Sequence, residues 1–175
     1  DKLDGSSGLY VRNEDGSINL YTRGNGVVGQ DVSYLQDYID LPKLAKFKQK
    51  RCIVRGEFIV KKKKWTKSEK QFSNSRNFVS GLINSKHVKN VDYLKDIDFV
   101  AYELIEPELS PKKQFNLLCI YGFNTVYHKY YKTFTKDKLS QILINRRENS
   151  DYDIDGIIIT DNKIHPRQKD KNPKH

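Results

Sequence analysis

Methionine is absent from this sequence of 175 residues, tryptophan occurs once, and cysteine occurs twice. The two cysteines, Cys52 and Cys119, lie far apart. Neither has the Cys-x-x-Cys or Cys/His spacing of a zinc site. We therefore predict two reduced core cysteines, which is typical of a reducing compartment and not of a secreted protein.

Long apolar segments are also lacking. No apolar run approaches the roughly 20 residues that a membrane-spanning helix needs, and the N-terminal sequence has no signal-peptide pattern. The sequence therefore predicts no membrane partner. Because it contains no methionine that could serve as an initiator, we expect it to be a fragment of a longer protein.

Charge and apolar residues are both plentiful. The chain is 37% hydrophobic and 31% charged, which predicts a globular domain with a core. Its formal net charge of +10 favours a polyanionic partner, nucleic acid before membrane. A soluble protein from a lysine-rich proteome is an equally good explanation of the charge alone.

Strand and helix patterns alternate irregularly along the chain. Alternating β-formers, an Asp-Gly turn signal, helical spacing of apolar residues and caps identify the elements. Strands are predicted at 8–12, 17–22, 51–60, 98–105 and 154–160, with a β-rich stretch at 123–131; helices at 76–85, 111–121 and 135–147; a helix or loop at 36–47; and a basic loop at 61–64. This order predicts one α+β domain with largely antiparallel sheets.

Five short sequence blocks carry the chemical signal. They are Lys-Leu-Asp-Gly at 2–5, Thr-Arg-Gly-Asn-Gly-Val-Val-Gly-Gln-Asp-Val at 22–32, Val-Arg-Gly-Glu at 54–57, Asn-Ser-Arg-Asn at 74–77 and Ile-Asp-Gly-Ile-Ile-Ile at 154–159. Their order and spacing resemble the adenylation domain of NAD-dependent DNA ligases over nearly the whole chain. The resemblance implies the nucleotidyltransferase fold, in which two antiparallel sheets flanked by helices hold a nucleotide between them.

The resemblance makes Lys2 the nucleophile. A deprotonated lysine amine can attack phosphorus and form a phosphoramidate. In the family this attack on NAD gives lysyl-AMP and releases nicotinamide mononucleotide; the AMP then passes to a DNA 5′-phosphate, and a 3′-hydroxyl seals the nick. Asp4 lies two residues on, on the same side of an extended segment, where it could orient Lys2 or bind a metal.

Three further residues correspond to nucleotide contacts of the family. Glu57 can accept hydrogen bonds from ribose hydroxyls or hold Mg²⁺ through water. Arg76, at a predicted helix start, suits a phosphate. Tyr102 corresponds to the aromatic platform under adenine, although a core tyrosine would fit the same pattern.

Asp155 and Arg147 match the family near the end of the chain. Asp155 opens an apolar strand and places a carboxylate at the cleft edge, where together with Glu57 it is a predicted ligand of Mg²⁺. Arg147 stands eight residues earlier, where the family also has an arginine, and is a predicted phosphate contact.

The chain departs from the family at several positions. Thr160 replaces a lysine that contacts the AMP phosphate, and Asn84 replaces an arginine eight residues after Arg76. The nearest substitute cations in sequence are Lys163 and Arg147. Smaller departures also occur: Ser75 replaces a proline, and Asn25 and Gln30 replace acids around Asp31.

Four residues are candidate contacts to nicked double-stranded DNA: Arg23, Arg76, Lys62 and Lys63. The run of four lysines at 61–64 is followed by Trp65, a combination found in nucleic-acid-binding segments. Such a run is more often a solvated loop, so that interpretation also stays open.

The sequence thus predicts the catalytic core of a DNA ligase that uses NAD and Mg²⁺. Residues 1–175 would be part of its adenylation domain, from the nucleophile motif to a point before the last lysine motif, and would need the remaining ligase domains to seal DNA. We expect it in the cytoplasm, the nucleus or a viral factory. Two alternatives stay open: an ATP-dependent polynucleotide ligase or capping-type nucleotidyltransferase, and a degenerate nucleotide- or DNA-binding module without catalysis.

Overall fold

The structure, a computed structural model, describes residues 1–24, 28–42, 51–65, 72–85 and 91–165. Asn25 and the last part of the predicted segment at 36–47 lie outside the described residues. Within 36–42, the structure shows the end of a 3-10 turn at Ser33–Asp37.

Within the described residues, seven strands form two sheets. The larger sheet has the order β3-β2-β4-β5-β6, and a two-stranded sheet pairs β1 with β7. The bounds are β1 Lys2–Leu3, β2 Ser6–Arg12, β3 Ile18–Thr22, β4 Cys52–Val60, β5 Ile97–Glu106, β6 Asn124–Thr125 and β7 Ile154–Gly156. All pairs are antiparallel except β5 with β6, which is parallel. The predicted α+β content and mainly antiparallel pairing are therefore confirmed.

In the part of the chain that the structure describes, four α-helices accompany the sheets: α1 Lys62–Trp65, α2 Ser75–Ile83, α3 Pro111–Tyr121 and α4 Lys136–Asn149. Local sequence explains their ends. The Asn74 side chain accepts from the backbone N–H of Asn77, and Thr135 accepts from that of Lys138. Gly122 ends α3 with a φ of 88°, in the left-handed region that glycine tolerates.

Three local predictions are wrong. The basic segment at 61–64 is not a loop, because residues 62–65 form α1. The stretch at 123–131 contributes just Asn124–Thr125 to the sheet, and the last strand ends at Gly156 rather than at Thr160. A β-rich composition shows which residues tolerate extended backbone, but a strand also requires a partner edge.

The five-stranded sheet has two differently covered faces. One face carries the main core, including Tyr10, Val54, Phe58 and Phe99, against which α2, α3 and the 3-10 turns pack. The other face carries a small cluster of Ile59, Val100 and Val126, and further along it the polar residues Ser7, Glu57 and Tyr102. This polar region of the second face is where a cleft opens.

Among the described residues, no helix is both long enough and apolar enough to cross a membrane.

Candidate active site

An open cleft of about 950 Å³ brings most of the five sequence blocks together. Its walls come from β1, the start of β2, the loop after β3, the second face of the large sheet, α2 and β7. The lining residues are Asp1, Lys2, Leu3, Ser6, Ser7, Thr22, Arg23, Gly24, Val28, Gly29, Gln30, Glu57, Arg76, Ser80, Asn84, Tyr102, Asp155 and Ile158.

Lys2 and Asp155 form an ion pair at the mouth of this cleft. The two strands that carry them are paired, with Lys2 opposite Gly156, so the Lys2 amine reaches the neighbouring carboxylate. The hydrogen bond and charge of Lys2 lower the pKa of Asp155 below its usual value. The Lys2 amine therefore lies against the Asp155 carboxylate, whereas nucleophilic attack on phosphorus requires an amine that has left this pair and lost its proton.

Glu57 is a mostly buried carboxyl facing the same cleft. Burial raises its pKa from 4.5 to about 7, against the opposing pull of the Arg76 charge and the Gly5 N–H. Gly5 permits this packing, because a Cβ there would lie 2.7 Å from the Cγ of Glu57. A carboxyl with a pKa close to neutrality changes protonation easily, as is common at functional sites.

Asp4 pairs with Arg76 across the two sequence blocks. The Arg76 Nη1 to Asp4 Oδ1 distance is 3.4 Å, and both side chains are partly exposed. Asp4 also donates its backbone N–H to the Asp153 carbonyl at 3.0 Å. Arg76 lines the cleft. Asp4 does not, and its link to the cleft is the ion pair with Arg76.

One face of α2 borders the cleft. Arg76, Ser80 and Asn84 lie four residues apart and therefore project on the same side of the helix. The opposite side buries Phe78, Val79 and Ile83 in the main core. Asn84 thus faces the cleft, as expected for the arginine it replaces, and the Arg-to-Asn departure removes a positive charge from this wall.

Tyr102 lies on the second face of the sheet, beside Ser7. The two hydroxyl oxygens are 3.0 Å apart, and burial raises the pKa of the Tyr102 phenol. Both residues line the cleft. The hydrogen bond fixes one end of the ring and leaves the ring available to a flat ligand.

Arg147 and Lys62 are engaged away from the cleft lining. Arg147 donates to the carbonyl oxygens of Ile154 at 3.2 Å and Asp155 at 2.9 Å, so its guanidinium is bound to the backbone of β7. Lys62 donates to the Arg147 carbonyl at 2.6 Å. Lys63 is exposed on α1. These placements leave Arg147 and Lys62 as structural contacts in this state of the protein.

Of the two remaining cationic candidates, Arg23 lines the cleft and Lys163 does not. Arg23 is exposed and lines the cleft next to Gly24, whose φ of 56° is in the left-handed region. Thr160 and Lys163 do not belong to the lining residues, and the Thr160 hydroxyl donates to the Asp161 carbonyl at 3.3 Å. Within the part of the chain that the structure describes, Lys163 therefore does not substitute for the missing lysine.

Two contacts were missed from sequence. Asp1, one residue before Lys2, accepts from the Arg146 guanidinium at 2.9 and 3.1 Å. Ser75, which is 2% exposed, donates to the Asp153 carboxylate at 2.6 Å, so the residue replacing the family's proline ties α2 to the segment before β7. Asp1 and Arg146 are 145 positions apart, so no local signal in the sequence indicates their contact.

The described residues contain no cluster of three or more His, Cys, Asp or Glu arranged to hold a metal by themselves. Mg²⁺ is commonly bound by one or two carboxylates completed by waters and substrate phosphates. Glu57 and Asp155 both line the cleft and fit that mode. The donor set therefore suits a metal that arrives with a phosphate ligand better than a permanently resident one.

A lysine–aspartate pair, a half-buried glutamate and an arginine at a helix start are groups that suit a phosphate-bearing ligand. The chain belongs to the NAD-dependent DNA ligase adenylation domain family, whose profile matches residues 1–170. The match supports the predicted class over the ATP-dependent and non-catalytic alternatives.

Similar proteins come from viruses and bacteria. A DNA ligase of Acanthamoeba polyphaga mimivirus is 40% identical over 100% of this chain and 28% of its own length. A protein of Invertebrate iridescent virus 6 is 33% identical over 99% of this chain and 29% of its own. A DNA ligase of Wolbachia pipientis wMel is 30% identical over 93% of this chain and 25% of its own. The chain thus spans less than a third of the relatives it matches.

Proposed function

We propose that this chain is the catalytic core of a DNA ligase, in which Lys2 takes AMP from NAD before the AMP passes to a DNA 5′-phosphate. The observation that carries the proposal is the meeting of Lys2, Glu57, Arg76, Tyr102 and Asp155 at one cleft. These residues come from four separate sequence blocks and one further strand. Within the same proposal, the two sheets with the cleft between them are those of a nucleotidyltransferase fold.

The first step joins Lys2 to the α-phosphate of NAD. The ammonium of Lys2 first loses a proton to water and leaves its pair with Asp155. The Nζ lone pair then forms the N–P bond while the pyrophosphate P–O bond breaks, nicotinamide mononucleotide departs with that electron pair, and the nitrogen gives a second proton to water. Arg76 and Arg23 supply positive charge to the phosphates in the cleft, where such charge stabilises a phosphoryl transition state.

Glu57, Asp155 and Tyr102 have supporting roles. Glu57 and Asp155 would hold Mg²⁺, which neutralises phosphate charge when bound. In the absence of metal, Asp155 keeps Lys2 at the cleft mouth, and Glu57 provides an acceptor for ribose hydroxyls. The ring of Tyr102 offers adenine a flat apolar surface whose hydroxyl end is already satisfied by Ser7.

Nicked double-stranded DNA is the proposed second substrate, and the remaining ligase domains are the proposed partners. The net charge of +10 favours association with a phosphate backbone. Arg23 and Arg76 stand exposed at the cleft and Lys63 stands exposed on α1, where a backbone could reach them. Lys62 would first have to give up its bond to Arg147. The proposal places the protein where DNA is found: in the cytoplasm, the nucleus or a viral factory.

The choice of nucleotide tests this function. The full-length protein is incubated with Mg²⁺ and either NAD or ATP, each labelled in the adenine, and covalent label on the protein is measured. We expect label from NAD and none from ATP, followed by sealing of a nicked duplex. Label from ATP but not from NAD would move the chain to the ATP-dependent class, and label from neither would contradict the proposed function.

A further inference from the structure

Two consecutive arginines near the end of α4 each contact a different side of the small sheet: one binds the residue before β1, and the other binds β7. Arg146 donates to both oxygens of the Asp1 carboxylate, from Nε to Oδ1 at 3.3 Å and to Oδ2 at 3.1 Å, and from Nη2 to Oδ2 at 2.9 Å. Arg147 donates to the carbonyl oxygens of Ile154 and Asp155 on β7. One helix end therefore fixes both the residue before Lys2 and the backbone that carries its partner, Asp155.

The Asp1–Arg146 pair is built as a buried contact. The side chain of Asp1 is 3% exposed and that of Arg146 is 20% exposed. The guanidinium also lies over the Tyr127 ring at 4.2 Å, and the carbonyl of Tyr127 accepts from the Asp1 backbone nitrogen at 2.9 Å. A planar two-point contact sets orientation as well as distance, and removing one partner of a buried pair leaves an uncompensated charge.

This contact has a direct path to the nucleophile. Asp1 is covalently joined to Lys2, and β1 is just two residues long. Such a short strand has few backbone hydrogen bonds of its own to define where its side chains lie. The described ion pairs at Lys2 and at Arg76 are both more than one-third exposed at each partner, so the Asp1 pair is the more deeply buried anchor beside the cleft.

We propose that Arg146 is a positioning residue for Lys2, acting through Asp1, and that Arg146 and Arg147 together form a clamp that aligns β1 with β7. The clamp rests on the proposed function, since it serves the attack of Lys2 on a phosphate. Misplacement of a reacting atom by about 1 Å can lower a rate on the order of 100-fold. The rate of AMP transfer should therefore depend on Arg146, although Arg146 does not line the cleft.

The test compares variants of the full-length protein. Arg146→Gln and Asp1→Asn each remove one partner, the double variant removes both, and Arg146→Lys keeps the charge without the planar contact. Arg51→Gln is the matched control, because Arg51 forms an exposed pair with Glu106 at 3.7 Å on another part of the molecule. Thermal unfolding is used to select the variants that remain folded.

Two measurements are made on each folded variant. The first is the single-turnover rate of adenylation as a function of NAD concentration. The second is hydrogen exchange of the Asp4 amide, which donates to the Asp153 carbonyl and so reports the alignment of β1 with the segment before β7. The exchange measurement needs no activity, so it distinguishes a failed clamp from a failed enzyme.

We expect each single variant to adenylate at least about tenfold more slowly at saturating NAD, with KM within about twofold of the wild-type value. The double variant should be no slower than the worse single variant, because the pair acts as a unit. Asp4 exchange should rise in all of them, with a smaller rise in Arg146→Lys and none in Arg51→Gln.

Wild-type rates, additive losses, or unchanged Asp4 exchange in folded Arg146→Gln and Arg146→Lys would each overturn the clamp. If the wild-type protein forms no adduct, the proposed function fails, and the exchange result alone then decides whether the clamp exists.

Discussion

The two sheets of this protein are stabilised in different ways. The five-stranded sheet buries large apolar side chains, with Tyr10, Val54 and Phe58 fully enclosed. The two-stranded sheet carries Lys2 and Asp155, whose side chains are 54% and 51% exposed. No residue of α4, which braces this small sheet, is buried. Packing therefore dominates in the large sheet, whereas the small sheet combines the apolar contacts of Leu3 and Ile154 with hydrogen bonds and ion pairs.

The difference separates stability from chemistry. Apolar burial dominates the free energy of folding, while exposed ion pairs contribute about 0–1 kcal/mol. Polar contacts can be broken and remade as a ligand binds, as Lys2 must do when it leaves Asp155. Substitutions in the large sheet should therefore change the free energy of unfolding, and those in the small sheet should change the rate of reaction.

The largest expected effect is on Phe58, in the middle of the large sheet. Phe58→Ala should lower the free energy of unfolding by about 3–5 kcal/mol, because it removes a fully buried ring and leaves a cavity. Urea-induced unfolding measures this loss. Phe134→Ala is the control: its ring is 46% exposed, and the same substitution should change the free energy by less than about 0.5 kcal/mol. Equal losses in the two variants would remove the distinction between buried and exposed sites.

Next in size is the effect of restoring a cation near the small sheet. The lysine that Thr160 replaces is expected to stabilise the transition state by about 2–4 kcal/mol if nothing substitutes for it. Thr160→Lys should therefore accelerate adenylation in single-turnover assays and leave urea unfolding unchanged.

Thr133→Lys adds the same charge at an exposed position between β6 and α4, away from the segment that follows β7, and it should not change the rate. If Thr160→Lys is also without effect, the absence of a lysine at position 160 does not limit adenylation. If neither wild type nor Thr160→Lys forms an adduct, the catalytic proposal fails.

Glu57 belongs to the large sheet but faces the cleft, so a substitution there should affect both stability and the site. Its carboxyl keeps its proton up to about pH 7 in the folded protein, whereas the unfolded chain loses it near pH 4.5. Between these values the folded state binds more protons, so stability falls as pH rises. The fall is at most about 3 kcal/mol.

Glu57→Gln should flatten this part of the stability profile and make the protein more stable than wild type at pH 7.5. Urea unfolding at pH 5 and pH 7.5 measures the change, with Glu103→Gln as a control on the neighbouring strand. A profile with the same slope in Glu57→Gln would show that burial of Glu57 is not its cause.

Local signals were sufficient to predict much of the fold. The Asp-Gly turn between β2 and β3, the Thr135 cap of α4 and Gly122 at the end of α3 act through neighbouring residues, so sequence alone identifies them. The cleft residues were also predicted together, because the order of the blocks carried long-range information that periodicity lacks.

Long-range pairing explains the misses. Residues 157–159 are three isoleucines, which favour extended backbone. In the described structure they have no paired neighbour, so they form no strand. Residues 62–65 form α1, and the Trp65 ring packs against that of Phe78 with 5.4 Å between ring centroids, a contact between distant segments that the lysine run does not indicate. The Asp1–Arg146 pair joins opposite ends of the chain, and no local pattern indicates such a contact.

The identity of the nucleophile can be tested by finding which residue of the protein carries the AMP. The full-length protein, incubated with NAD and Mg²⁺, is digested and its peptides are mapped by mass spectrometry. We expect one AMP adduct, on the Lys2 amine. Lys2→Ala should abolish it and Lys63→Ala should leave it intact. An adduct on another residue, or one that persists in Lys2→Ala, would contradict this expectation.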